Sequence, residues 1–291
     1  MKNLKLAAVC LSCLTMTGCS ALNFSVEGLI NAPKLTSEQS EIHQALIESV
    51  GSNITLKYPK NGEYRSAYVI ANIDDEPTDE AMVFYEYTSN GSEEDGLRVN
   101  ILDKDENGKW YSVKELAGAG TDIDQVIISP MGSNNQTDVF VGYQNLTNDE
   151  KTMEIYSYTD GDFKRVALDT YSVLEPLDIN NDGYIELITI QRSTNNDTGA
   201  VTAKASMLNM KNNEITRGEN VDMCDNVTSY VSSKTGMLDS GRRAIFIDGL
   251  TADGKLQTEI IYYRYSGLQN PMQLRSEKLL PLCTRPAGYY S

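Results

Sequence analysis

The stretch Asp178-Ile179-Asn180-Asn181-Asp182-Gly183-Tyr184-Ile185-Glu186 runs directly into the apolar segment Leu187-Ile188-Thr189-Ile190. Oxygen-bearing side chains stand at positions 1, 3, 5 and 9 of these nine residues, and glycine stands at position 6. A hard cation such as calcium takes six or more oxygen ligands, and glycine allows the sharp turn that gathers them. The stretch therefore predicts a calcium loop that leads into a β-strand.

The predicted ligands are the side chains of Asp178, Asn180, Asp182 and Glu186 and the backbone carbonyl of Tyr184, with water completing the shell. The loop is not an EF-hand, because position 12 is Thr189 instead of a bidentate glutamate and the flanking segments are strand-like. An Asx-rich turn without metal is the alternative, since Asp and Asn side chains also cap turns. We expect bound calcium to be structural, because it would neutralise three carboxylates that repel one another.

Strand-like segments fill the chain from Ser52 onward, with Gly, Asn and Asp at the turns between them. Hairpin tips recur about every 54 residues, at Asp105-Glu106-Asn107-Gly108, Thr159-Asp160-Gly161-Asp162, Lys211-Asn212-Asn213 and Ser266-Gly267-Leu268. Two inner strands precede each outer pair: Tyr68–Ala71 with Ala81–Tyr87, Val126–Ser129 with Asp138–Tyr143, Val173–Leu177 with Ile185–Gln191, and Val227–Val231 with Arg242–Asp248.

Four antiparallel strands in each of four successive units is the arrangement of propeller blades. We predict an all-β fold over residues 52–291, a β-propeller-like array of about four four-stranded blades plus a partial fifth. A β-sandwich with accidental spacing is the alternative. The segment Ile54–Tyr58 precedes the first unit, and Leu279–Ser291 begins a fifth, so either the ring is open or the chain is a fragment truncated at the C-terminus.

The first unit carries a degenerate copy of the loop at the same place, between its first two strands. Its oxygen-bearing residues are Asn72, Asp74, Glu76 and Glu80, but Pro77 replaces the glycine and cannot take its positive φ. The corresponding segments of the second unit, Pro130–Asp138, and of the fourth, Ser232–Gly241, lack the pattern. We expect calcium at the third unit and hold the first loop as a possible degenerate site.

The segment "DINNDGYIELITI" resembles the repeat of the FG-GAP and VCBS propellers, in which a D-x-[DN]-x-D-G-x-x-[DE] loop joins the first two strands of a blade. Together with "KLTSEQSEIHQALIESVGSNITLKYPKNGEYRSAYVIANID" and "DEAMVFYE", it is similar to uncharacterised lipoproteins of Firmicutes. The resemblance covers most of the chain. It implies a propeller fold and the same calcium ligands in the third unit, whereas Pro77 and the two altered loops depart from the pattern.

The N-terminus is read as a bacterial lipoprotein signal peptide over residues 1–18. Lys2 and Lys5 precede an apolar core at Leu6–Leu14 that is too short to span a bilayer, and Met16-Thr17-Gly18-Cys19 resembles a lipobox. Lipidation of Cys19 would anchor the protein to the extracytoplasmic face of the cell membrane. An ordinary signal peptide with an incidental cysteine is the alternative.

Residues 19–34 are predicted to be a tether, and residues 35–51 an amphipathic helix. Thr36 and Gln39 have capping-box spacing, and Ile42, Ala45 and Leu46 lie on one helical face. The helix carries His43, the one histidine of the chain, which has no partner at ligand spacing and is interpreted as a surface or packing residue.

Charge and cysteine content narrow the classes of partner. Without residues 1–18 the chain keeps 23 of its 25 basic residues against 41 acidic ones, a formal charge of −18. This balance disfavours nucleic acid, which is bound through clustered Lys and Arg. If Cys19 is acylated, Cys224 and Cys283 remain, either as a disulfide or as two thiols.

Two functions stay open at this level. The first is a non-enzymatic, lipid-anchored extracellular module that binds or scaffolds a protein or polysaccharide ligand, with calcium as a structural cofactor. The second is an extracellular carbohydrate-active enzyme that uses carboxylates near the propeller channel. No spacing selects a catalytic pair, so enzymatic activity is the less favoured of the two.

Overall fold

The computed structural model describes residues 35–88, 96–131, 137–145, 150–194, 197, 199, 201–211 and 214–271. The predicted signal peptide with its cleavage site at Cys19, the tether, Cys283 and the partial fifth unit lie outside these residues. The chain divides into two compact units, residues 1–41 and residues 42–291. In the part of the chain that the structure describes, no helix has the length and apolar composition needed to span a membrane.

Helix α1, Ser37–Val50, begins with the predicted capping box. The Gln39 backbone N–H donates to Thr36 Oγ1 at 3.1 Å, and the Thr36 N–H donates to Gln39 Oε1 at the same distance. These two bonds satisfy amide groups that have no partner within the helix. Further along, Ile42 and Leu46 are fully buried against the first sheet of the second unit.

The remaining elements are strands. Their bounds are β1 Ile54–Leu56, β2 Tyr68–Ala71, β3 Glu80–Tyr87, β4 Leu97–Lys104, β5 Trp110–Ala117, β6 Asp122–Ser129, β7 Asp138–Gln144, β8 Lys151–Thr159, β9 Asp162–Tyr171, β10 Val173–Leu177, β11 Glu186–Thr194, β12 Val201–Lys211, β13 Glu214–Asp222, β14 Val227–Met237, β15 Arg243–Thr251, β16 Leu256–Arg264 and β17 Gly267–Gln269.

These strands form four antiparallel sheets in chain order, which confirms the predicted all-β array of blade-like units. The first sheet holds β1 to β5, the second β6 to β9, the third β10 to β13 and the fourth β14 to β17. Within each sheet, strands that are neighbours in sequence pair with one another, apart from β1, which pairs with β3. Four separate sheets replace the two facing sheets that a β-sandwich would require.

Strand β1 joins the first sheet. It pairs with β3 from Ile54↔Tyr87 to Leu56↔Tyr85, and β2 continues along the same edge from Tyr68↔Val83 to Ala71↔Glu80. Two short strands therefore share one edge of the long β3, because β2 alone covers only part of its length.

The fourth sheet differs from the prediction at two turns. Its first strand was expected to end at Val231, but β14 continues to Met237 and pairs with β15 as far as Met237↔Arg243. The predicted loop Ser232–Gly241 is thus mostly strand, and only a tight turn closed by Leu238 and Arg242 remains. Likewise Gly267 and Leu268 of the last predicted tip already belong to β17, and the turn lies at Tyr265 and Ser266, both with positive φ.

Apolar side chains join each sheet to the next. One buried cluster, which includes Phe84 and Val141, connects the first sheet to the second. Another, with Phe140 and Leu187, connects the second sheet to the third, and a further one, with Ile188 and Ile245, connects the third to the fourth. A fourth cluster packs α1 on the other face of the first sheet. Burial of both faces explains why the central strands read as continuous apolar runs.

Candidate metal centre

The loop of the third sheet lies between β10 and β11. The register pair Leu177↔Glu186 closes its base, so the eight intervening residues must turn sharply. Asn181 and Gly183 adopt positive φ values of 61° and 96°. Glycine takes this left-handed conformation without the steric cost that a side chain brings, which accounts for Gly183 at position 6.

Three of the predicted ligands converge. One carboxylate oxygen each of Asp178, Asp182 and Glu186 lies within 4.8 Å of the other two. Asp178 and Glu186 are buried, whereas Asp182 is exposed. Among the described residues this is the one group of three acidic, histidine or cysteine side chains that is close enough to hold a metal ion. Its donors are all oxygens, which fits calcium.

Asn180 lies among the same carboxylates. Its Nδ2 donates to Asp182 Oδ2 at 2.9 Å and to Glu186 Oε1 at 2.7 Å. The amide nitrogen thus takes the place between two carboxylates where a cation would be favoured. For Asn180 to act as a ligand its amide must rotate, so that Oδ1 replaces Nδ2.

Backbone amides hold the loop in shape. Asp178 Oδ1 accepts the Asp182 N–H at 3.0 Å, and Asp182 Oδ1 accepts the Tyr184 N–H at 2.9 Å. The backbone carbonyl of Tyr184 is a predicted ligand, and this hydrogen bond from the Tyr184 N–H helps to fix the position of the residue in the loop. Glu186 Oε2 accepts the Ile179 N–H at 3.0 Å. The same Asx contacts also stabilise turns of this kind without a metal ion.

The electrostatic environment favours a bound cation. Burial, together with the nearby Asp182 and Asp178 carboxylates, raises the pKa of Glu186 to about 7, although the hydrogen bond from the Ile179 amide opposes the shift. A divalent cation would reverse this effect, because it stabilises the ionised form of every nearby carboxylate.

Arg243 is a member of the site that sequence reasoning missed. Its Nη1 lies 2.9 Å from Asp178 Oδ2 and donates to the Asp178 backbone carbonyl at 2.8 Å. Arg243 begins β15, in the next sheet, so no local spacing could relate it to the loop. It neutralises part of the charge of Asp178.

The first-sheet loop does not bring its acidic side chains together in this way. Asn72 Nδ2 donates to the Glu76 carbonyl at 2.5 Å, and the Glu76 N–H donates to Asp74 Oδ1 at 2.7 Å. Glu80 is buried, which raises its pKa to about 7. These acids form no group of three with ligand oxygens within 4.8 Å.

One hydrogen bond is common to three of the loops. The carboxylate at position 9 accepts the backbone N–H of position 2, in the pairs Ile73 to Glu80 at 2.8 Å, Met131 to Asp138 at 3.2 Å and Ile179 to Glu186 at 3.0 Å. The second loop therefore keeps this hydrogen bond although positions 1 and 3 of the pattern are Pro130 and Gly132. A signal for it was present in the sequence, as an acidic residue that begins the second strand of each of the first three units.

A cavity of about 560 Å³ lies where inner strands β6, β10 and β14 meet residues 61–64. Its buried Asp124 accepts hydrogen bonds from Asn61 Nδ2 at 2.8 Å and Tyr171 Oη at 2.6 Å, and pairs with Lys151 Nζ at 2.8 Å. Glu175, from β10, accepts a bond from Ser233 Oγ at 2.5 Å. Both carboxylates are held by neighbouring elements.

His43 Nδ1 lies 2.8 Å from the Tyr68 hydroxyl, a contact that agrees with its interpretation as a packing residue. Cys224 contributes its backbone N–H to buried Glu259 at 2.9 Å.

Comparison with models of known protein families finds no match to this chain, and comparison with curated proteins finds no matching protein.

Proposed function

We propose that this chain is a lipid-anchored extracellular binding module of the FG-GAP or VCBS type, in which a structural calcium ion stiffens the third sheet. The observation that carries the calcium assignment is the convergence of Asp178, Asp182 and Glu186 to within 4.8 Å. Calcium would bind to these oxygens and to a rotated Asn180, and it would hold the loop to the base of β11.

The role of the ion is structural on this proposal. Asp178 directly follows the last residue of β10 and Glu186 is the first residue of β11, so an ion between them would tie the two strands together. Without a cation, three carboxylates of like charge share a partly buried site, and this repulsion favours opening of the loop. Binding to the folded state alone stabilises it, by about 2.7 kcal/mol at a hundredfold excess of ligand over Kd.

A ligand-binding surface is available at the 560 Å³ cavity. Strands β6, β10 and β14 each pair with one strand in the described structure, and residues of all three line the cavity. Part of the other β6 edge is already occupied, because the Lys60 and Asn61 N–H groups donate to the Ile123 and Asp124 carbonyls at 3.2 and 2.7 Å. Backbone edges and polar side chains suit an extended protein segment or a polysaccharide. We propose that the module binds such a ligand here.

The enzymatic alternative would use Asp124 and Glu175 in the same cavity. Asp124 already has an ammonium, an amide and a hydroxyl as partners, so its lone pairs are committed to holding β6 in place. This favours a binding role over acid or base catalysis. Hydrolysis of a polysaccharide that is abolished by Glu175→Gln would reverse this preference.

The calcium proposal is tested by thermal unfolding and isothermal titration calorimetry in the presence of calcium or a chelator. The parent should melt at a higher temperature with calcium, and Asp182→Asn should lose most of that increase because it removes a ligand charge. Asp239→Asn, an exposed acid in the turn of the fourth sheet, removes the same charge elsewhere and should behave like the parent. Equal melting with and without calcium would refute the proposal.

A further inference from the structure

A second cavity, of about 220 Å³, lies between the first and second sheets. Five acidic side chains line it: Asp162 from β9, which pairs with Lys114, and four others. These four are Asp74 and Glu76 from the loop, Glu80 from β3 and Asp103 from β4. In the described part of the chain no side-chain nitrogen of lysine, arginine or histidine lies within 4 Å of the carboxylate oxygens of these four, although the Lys104 backbone N–H donates to Asp103 Oδ1 at 2.6 Å. Lys114 also lines the cavity, but its Nζ is taken by Asp162 Oδ1 at 2.6 Å and by the Phe163 carbonyl at 2.7 Å.

Glu80 supplies an independent indication of a ligand site. It is 3% exposed, and its Oε2 accepts the Ile73 N–H. Its Oε1 has no hydrogen-bond partner among the described residues. A buried acceptor without a donor is costly, so a ligand with N–H groups in this cavity would recover a hydrogen bond that the chain itself does not supply.

Aromatic side chains complete the lining. Tyr111 and Tyr158 both border the cavity, and the Tyr111 hydroxyl donates to Asp103 Oδ2 at 3.3 Å. Burial raises the pKa of both tyrosines, and the negative charge of the nearby carboxylates raises it as well, so both rings lie close to the acidic side chains. Aromatic rings attract cations and also pack against short alkyl chains.

The geometry points to a binding site for a primary alkylammonium group, supplied either by a small amine or by a lysine side chain of a partner protein. An inorganic divalent ion fits less well, because these four acids do not gather three oxygens within 4.8 Å as the third-sheet loop does. An ammonium group donates hydrogen bonds to carboxylates that are farther apart, and its alkyl chain fills space beside the tyrosines. This site is separate from the calcium loop and does not depend on it.

Isothermal titration calorimetry in chelator tests the inference with n-butylamine as the ligand and n-butanol as its uncharged counterpart. We expect n-butylamine to bind the parent and n-butanol not to bind. Glu80→Gln and Asp103→Asn should each weaken n-butylamine binding by about tenfold or more, because each removes a charge that faces the ammonium. Asp239→Asn, with the same loss of charge outside the cavity, should leave binding unchanged.

Nα-acetyl-lysine amide, whose side chain keeps its ammonium group, distinguishes the two sources of that group. Tighter binding of this compound than of n-butylamine would identify a protein lysine as the ligand, and the reverse order would identify a small amine. Circular dichroism establishes whether the variants fold. If Glu80→Gln does not fold, the binding of n-butylamine to Asp103→Asn tests the inference by itself. No binding of either amine to the parent, or equal binding of n-butanol, would overturn the inference.

Discussion

Arg243 binds Asp178 twice, through an ion pair of 2.9 Å to Oδ2 and a hydrogen bond of 2.8 Å to the backbone carbonyl, across 65 residues of chain. The contact ties the start of β15 in the fourth sheet to the loop of the third. It also places a positive charge beside the proposed calcium site, so that stability and cation affinity are coupled through one side chain.

Replacing Arg243 by glutamine should therefore have opposite effects on the two properties. In chelator, Arg243→Gln should lower the free energy of unfolding by about 1 kcal/mol, since a partly exposed ion pair and a hydrogen bond are lost. Calcium should bind the variant more tightly, because a competing positive charge is gone. Denaturant unfolding and calorimetry measure the two quantities. Arg242→Gln, an exposed neighbour, is the control, and weaker calcium binding by Arg243→Gln would show that the guanidinium chiefly orients Asp178.

Glu259 should make stability depend on pH. Its side chain is 0% exposed, Oε2 accepts bonds from Cys224 N–H and Asn270 Nδ2, and burial raises the pKa of the carboxyl. As pH rises, the unfolded chain ionises first, near a pKa of about 4.3, and the folded protein then loses stability until its own higher pKa is passed.

Glu259→Gln removes this loss. Its free energy of unfolding relative to the parent should rise as the pH increases above the unfolded-state pKa of about 4.3, because only the parent must ionise a buried carboxyl. Denaturant titrations in chelator at several pH values measure the difference. Glu106→Gln, at an exposed hairpin position, is the matched control. A difference between Glu259→Gln and the parent that stays constant with pH would contradict the expectation.

Gly142 and Tyr171 should be energetically coupled. A Cβ atom at Gly142 would overlap the Tyr171 hydroxyl, which donates to buried Asp124. Gly142→Ala should destabilise the protein by about 2 kcal/mol through this overlap, and Tyr171→Phe by roughly 1.5 to 3 kcal/mol through the lost hydrogen bond to a charged group.

The double variant should cost at least about 1 kcal/mol less than the sum of the two single variants. Removing the hydroxyl makes room for the new methyl group, so the two losses overlap. A double-mutant cycle from denaturant unfolding measures the coupling. Strict additivity would mean that the methyl group is accommodated without displacing Tyr171.

Cys19→Ser should release the protein from the membrane fraction. The variant lacks the thiol that is proposed to carry the acyl chains, so it should neither incorporate labelled fatty acid nor sediment with membranes. Cys224→Ser should retain both properties. Absence of labelling in the parent would leave the ordinary signal peptide as the correct interpretation, and continued labelling of Cys19→Ser would place the acyl chains on another residue.

Most strands could be predicted from the sequence, because the alternation of apolar and polar residues, the β-branched residues and the Gly, Asn and Asp residues at turns are all local signals. Segments such as Val173–Leu177 agree with the observed β10 to the residue. The second half of β14 was missed because Ser232, Ser233 and Gly236 are typical of turns, whereas in the fold they pair with Asp248, Ile247 and Ala244 of β15. Strand propensity is weak where pairing with a neighbour decides the outcome.

The sequence alone determined the four-fold recurrence of strands and the loop from Asp178 to Glu186. The loop could be recognised because its oxygen-bearing residues and the glycine with positive φ all lie within nine consecutive residues. The tertiary structure decided that Arg243 reaches Asp178, and that Glu80 and Asp103 share a cavity with Tyr158 of the second sheet. Contacts between sheets depend on how apolar faces pack over long separations in the chain, and no local pattern of residues encodes which side chains then meet.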